Sequence, residues 1–90
     1  MFRKKPFTNI KKYETQVNSK PVAFYVDYEN VTLFAKYDGE LYYGVIDCSS
    51  NALQTVLKLI TAEKLKEFFK RRPDDAVIEA FITNIQPLLI

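Results

Sequence analysis

Between residues 21 and 47, apolar and polar side chains alternate with a period of two, in three runs separated by Glu29-Asn30 and Asp38-Gly39. That period predicts β-strands with one buried face. Asp38-Gly39 is a strong hairpin signal, because a type I′ turn needs two residues at positive φ. A two-residue loop there pairs Tyr37 with Glu40, Ala35 with Tyr42, Leu33 with Gly44 and Val31 with Ile46. Glu29-Asn30 predicts a second tight turn, Asn tolerating the left-handed region. It pairs Tyr28 with Val31, Val26 with Leu33, Phe24 with Ala35 and Val22 with Tyr37. The two turns agree. Both put Val22, Phe24, Val26, Tyr28, Val31, Leu33, Ala35, Tyr37, Tyr42 and Ile46 on one face, which is the expected core side. Gly44 leaves a gap beside Leu33 for an overlying helix.

The opposite face carries Ala23, Tyr25, Asp27, Thr32, Phe34, Lys36, Leu41, Tyr43 and Val45. Its centre is a row of cross-strand neighbours, Tyr25, Phe34 and Tyr43. Such aromatic pairs stabilise a sheet in their own right, and they also suit a contact surface.

After Ile46 the spacing becomes helical. Leu53, Val56, Leu57 and Ile60 fall on one stripe behind the cap-type residues Ser49, Ser50 and Asn51. Leu65, Phe68 and Phe69 lie well round from that stripe, which predicts a break with Thr61 as a new N-cap. The reading is a helix near 50–60 and another near 62–71, with one bent helix as the alternative. Lys70, Arg71 and Arg72 then fall in a last turn, where cations offset the helix dipole. Beyond Pro73, Asp74 and Asp75 begin a third helix, whose stripe is Val77, Ile78, Phe81, Ile82 and Ile85. Pro87 ends it, and Leu88, Leu89 and Ile90 are expected to dock on the chain's own sheet.

The expected class is therefore α+β. It is a three-stranded antiparallel meander, four-stranded if the N-terminal segment adds a strand, followed by two or three α-helices packed on one sheet face. Ninety residues make a single domain, 1–90. Its parts are a basic arm or extra strand over 1–20, the meander over 21–47 and a helical layer over 50–87. In the first part Phe7, Ile10, Tyr13 and Val17 either cover the aromatic face or supply the fourth strand.

Charge sharpens that division. The net charge is +2, but residues 1–20 hold six basic residues and one acid, +5, leaving −3 on the rest. A basic arm on a mildly acidic body suits phosphate or an acidic protein surface, and it also serves plain solvation. Nothing approaches the ~18 unbroken apolar residues of a membrane span. Arg3, Lys4 and Lys5 lead into Pro6, not into an apolar signal core. One cysteine, Cys48, is not the framework of a small secreted domain. The expectation is an intracellular, cytoplasmic chain.

Little here suits catalysis. The chain has no histidine, which removes the usual proton carrier and the commonest metal ligand. A lone cysteine forms no thiolate cluster, and two glycines, Gly39 and Gly44, form no phosphate-cradling loop. Cys48 reads as a small thiol at a strand end, and Asp27 and Asp47 would need burial to become useful acids. The reading is no enzyme, no metal and no cofactor.

Elimination leaves binding. The first reading is a protein-binding module, a regulator, adaptor or inhibitor anchored by Tyr25, Phe34 and Tyr43 with Lys36 and Leu41 beside them. Composition rich in Lys, Ile, Asn and Tyr fits an accessory protein of a low-GC microbe or its phage. The alternative is a nucleic-acid-binding accessory protein, with Arg3, Lys4, Lys5, Lys11, Lys12 and Lys20 on phosphate and the aromatics stacking bases. The lack of helix-turn-helix spacing or an RNA-recognition signature counts against it. A homodimer whose sheets or tails pair is a third reading.

Overall fold

The computed structural model describes residues 10–89. Five antiparallel strands form one sheet in chain order: β1 (Ile10–Val17), β2 (Lys20–Asp27), β3 (Thr32–Tyr37), β4 (Glu40–Val45) and β5 (Phe69–Arg71). The class is α+β, as the sequence predicts, but the central meander gains a strand on each side. Arg3, Lys4, Lys5, Phe7 and Ile90 lie outside the described residues.

The central registers follow the two turns. Val22 pairs with Tyr37, Phe24 with Ala35 and Val26 with Leu33, while Leu33 pairs with Gly44 and Ala35 with Tyr42. The turn at Asp38-Gly39 has φ of 52° and 79°, both positive, as a type I′ loop requires. The other turn differs from expectation. β2 stops at Asp27 and β3 starts at Thr32, so the connection has four residues, and the positive φ of 52° falls on Val31, not on Asn30. Asp27 explains the change. Its Oδ1 accepts from the backbone N–H of Glu29 and of Asn30, each at 3.1 Å, and its Oδ2 accepts from Asn30 Nδ2 at 2.9 Å. A side chain thus replaces the hydrogen bonds of a tighter turn. The loop widened by one residue on each side, so the strand register is preserved.

β1 is the extra strand admitted for residues 1–20. It joins β2 through Asn18-Ser19, whose φ values are 53° and 67°, so a second two-residue turn with paired positive φ occurs without glycine. Tyr13 pairs with Phe24 and Val17 with Lys20. Tyr13 and Val17 accordingly join the inner-face cluster.

The helical layer covers that inner face. A short 3-10 turn over 50–52 leads into α1 (Leu53–Leu59), and α2 (Ala62–Phe68) comes next. The expected break is present. Ile60 is extended, and Thr61 is the N-cap of α2, its side chain accepting from the Lys64 N–H. Gln86 Nε2 donates to the carbonyls of Leu57 and Ile60, two acceptors that the end of α1 leaves open. α3 (Asp75–Ala80) continues through a π turn, Phe81–Ile85, and a 3-10 turn, Gln86–Leu88. Val77, Ile78, Phe81 and Ile85 are buried with Phe24, Val26, Leu33, Leu53, Leu57 and Leu65. Leu89 is buried too, while Leu88 is exposed. Phe24 and Phe81 meet edge to face at 5.1 Å, joining the sheet centre to the third helical segment.

Residues 69–71 correct the sequence reading. They are the strand β5, not the end of α2, so a helix dipole does not explain Lys70, Arg71 and Arg72. Arg71 instead clamps β5 to β4. Its Nη1 donates to the Leu41 carbonyl at 2.8 Å, its Nη2 meets Glu40 Oε1 at 2.6 Å, and its guanidinium lies 4.9 Å from the Tyr42 ring. Gly44 permits this edge. A Cβ there would come within 2.7 Å of the Phe68 carbonyl oxygen and 2.9 Å of Phe69 Cα. The gap beside Leu33 is filled by the backbone where α2 becomes β5.

Candidate functional site

The side of the sheet away from the helices holds the aromatic row. Tyr25 pairs with Phe34 and Phe34 with Tyr43, so the three rings are direct neighbours across β2, β3 and β4. Lys36 pairs with Leu41 one step along the strands. All five anchor residues of the sequence reading therefore share one surface. None of them belongs to the buried cluster or to the residues packed against it. Tyr25 and Phe34 are half-buried, Lys36 is exposed, and Leu41 and Tyr43 remain 48% and 41% exposed.

β1 lengthens the row, which the sequence reading did not foresee. Lys12 pairs with Tyr25 and Ile10 with Asp27. The Lys12 ammonium lies 5.7 Å from the centre of the Tyr25 ring and 3.3 Å from Glu14 Oε2. The Glu14 carboxylate, and after it Tyr25, hold the Lys12 pKa above its ordinary value. Lys12, Tyr25, Phe34 and Tyr43 thus cross four strands, about 14 Å at the usual strand spacing. Ile10, Lys12, Tyr25, Phe34 and Leu41 line one shallow, apolar hollow. Alternation within IKKYETQV places residues 10 and 12 together, but only the Asn18-Ser19 turn fixes which side they take.

Over β2 and β3, the end of this face nearer residues 28–31 is closed. Asp27 and Thr32, which alternation places on this face, are 7% exposed apiece. Asp27 is consumed by the loop hydrogen bonds to Glu29 and Asn30, and the Thr32 hydroxyl donates to the Asn30 carbonyl at 2.9 Å. The flanking strands stay open at this level: Val45, which pairs with Thr32, is 45% exposed, and Ile10, which pairs with Asp27, is half-buried at the apolar hollow.

The basic residues do not form one strip. Lys11 pairs with Val26 and Lys12 with Tyr25, so their side chains leave β1 on opposite faces. Lys12 is ion-paired with Glu14, and Lys20 with Asp38 at 3.4 Å. Cys48 is half-buried beyond β4, and desolvation, then the Asp47 carboxylate, raise its thiol pKa. A thiolate is disfavoured there. Among the described residues no group of three His, Cys, Asp or Glu side chains is placed to hold a metal, and no helix is long and apolar enough to cross a membrane. What this surface offers is flat contact area: rings, aliphatic side chains and cations at its margin. No family model, curated protein or solved structure matches the chain.

Proposed function

We propose that the protein is a non-enzymatic binding module that docks another protein on the aromatic face of its sheet, acting as a regulator, adaptor or inhibitor. One observation carries this. Of the five large hydrophobic side chains exposed among the described residues, three, Leu41, Tyr43 and Val45, stand side by side on the outer face of β4. Isolated exposed apolar residues are ordinary; a contiguous set beside two further rings suits a docking surface. Aromatic anchors of this kind dominate binding energy at protein interfaces. The partner that fits presents an apolar centre to Tyr25, Phe34 and Tyr43, and a carboxylate to Lys36.

The test compares wild type with the double variant Phe34→Ser/Tyr43→Ser as bait, with and without nuclease. The expected result is a protein captured by wild type in both conditions and lost from the variant, with unchanged far-UV circular dichroism. A protein retained equally by both baits overturns the site. Capture abolished by nuclease points to the nucleic-acid reading, in which Lys11, Lys12 and Lys20 contact phosphate.

A further inference from the structure

The two edges of the sheet are built differently. β5 is three residues long, its pairing with β4 is irregular between Tyr43 and Gly44, and Arg71 occupies a β4 carbonyl. Short length, irregularity and charge are the usual protections of an exposed edge. β1 has eight residues, pairs with β2 without a register shift, contains no proline, and is the last strand on its side among the described residues. Lys11 and Lys12 are its apparent gatekeepers, yet Lys12 is matched by Glu14 on the same face.

We propose that β1 pairs antiparallel with β1 of a second copy of this chain, joining two sheets into one of ten strands. Residues opposite each other must lie on the same face, so the paired numbers sum to an even value. Four such registers keep at least five residues of Ile10–Val17 paired. A sum of 24 sets Lys12 against Lys12, and a sum of 28 sets Glu14 against Glu14. A sum of 30 shortens the pairing to residues 13–17 and leaves both lysines outside it. A sum of 26 sets Lys12 against Glu14 twice, related by the two-fold axis, with Tyr13 opposite Tyr13, Lys11 opposite Thr15 and Ile10 opposite Gln16. Only this last register makes complementary charge contacts, and it is the register assigned. The two-fold axis is perpendicular to the sheet, so both aromatic faces point to the same side of the dimer.

Sedimentation velocity over a concentration series tests this with Lys12→Glu and Glu14→Lys. The wild type is expected to be a dimer, and each variant to show a dissociation constant raised about tenfold or more, because each sets like charges opposite twice. In an equimolar mixture of the two variants, one chain carries acids at positions 12 and 14 and the other carries lysines at both. The mixture is expected to form a heterodimer at a concentration where each variant alone is monomeric. The combined variant Lys12→Glu/Glu14→Lys is expected to return to within about threefold of wild type. A monomeric wild type, a dimer indifferent to either reversal, or two monomeric variants that stay apart on mixing would each overturn the proposal. Loss of bait capture by Phe34→Ser/Tyr43→Ser bears on the docking face alone, so the two readings fail separately.

Discussion

The sheet has two apolar faces that behave differently. On the inner face, Val22, Phe24, Val26, Leu33 and Ala35 are at most 1% exposed and belong to one cluster with side chains from all three helices. On the outer face, Tyr25, Phe34, Leu41 and Tyr43 are neighbours of one another across the strands. Both faces alternate with the same period and both carry large apolar side chains, although the outer one also holds Lys12, Glu14, Asp27, Thr32 and Lys36. The difference lies in the chemistry of the side chains. The inner residues are mostly aliphatic and small enough for the downstream helices to approach, while the outer ones are rings and long side chains that remain useful half-wet. Fold stability is thus concentrated on one side, while the rings of the other lie outside the buried cluster among the described residues.

The sharpest way to break that contrast is to cut a ring from each face. Phe24→Ala removes a side chain 1% exposed and its edge-to-face contact with Phe81. It is expected to cost about 3–5 kcal/mol in urea unfolding, a large share of the stability of a small domain. Pairing it with Phe81→Ala in a double-mutant cycle should give a coupling of roughly 0.5–1.5 kcal/mol. Gly44→Ala comes next. Its Cβ would meet backbone, the Phe68 carbonyl oxygen and Phe69 Cα, so no side chain can rotate aside. A loss of about 1–3 kcal/mol is expected. Because the strain falls at the α2–β5 junction, amide exchange in Phe69–Arg71 should accelerate more than in β2.

How much of this was legible in the sequence depends on the range of each interaction. Strand register at β2, β3 and β4 comes from turn residues and alternation alone. It withstood the longer loop at 28–31 because a loop widened symmetrically leaves the pairing unchanged. β1 was harder to read. Its inner side is Lys11, Tyr13, Thr15 and Val17, half polar as an edge strand permits, and its turn, Asn18-Ser19, lacks the glycine that marks Asp38-Gly39. β5 was not legible. Phe69, Lys70 and Arg71 have no strand pattern of their own, and they become a strand only because Gly44 admits their backbone and Arg71 holds Glu40 and the Leu41 carbonyl. For the candidate site, the five anchor residues were found together, whereas Ile10 and Lys12 needed the β1 register. The closure of Asp27 and Thr32 could not be read from alternation, which assigns faces and not burial.

Asp27 is the buried polar side chain of the outer face on β2, and Asp27→Ala probes the loop it holds. It removes three hydrogen bonds that shape residues 28–31, together with the support for Val31 at a φ of 52°. A β-branched residue in the left-handed region is disfavoured, so the loop has little to hold it once the carboxylate is gone. The expected loss is about 1–2 kcal/mol by urea unfolding, smaller than either inner-face change, because water can reach the freed N–H groups of exposed Glu29 and Asn30. Asp27→Asn keeps one acceptor and should fall between wild type and Asp27→Ala.

The smallest stability effect is expected where the functional effect is largest. Phe34→Ser and Tyr43→Ser each remove cross-strand ring contacts worth roughly 0.2–1 kcal/mol, and neither opens a cavity in the buried cluster. Serine is also a poorer strand former than an aromatic, by an amount within the roughly 1 kcal/mol span of such preferences. Each single variant should therefore lose less than about 1.5 kcal/mol in urea unfolding, well below the loss of about 3–5 kcal/mol expected for the same class of ring on the other face. Partner capture should nevertheless disappear, since a central ring at an interface commonly costs about 2 kcal/mol or more when truncated. If Phe34→Ser instead destabilises as strongly as Phe24→Ala, the two faces are equivalent in energy, and the outer rings are a second core whose cover is part of the fold.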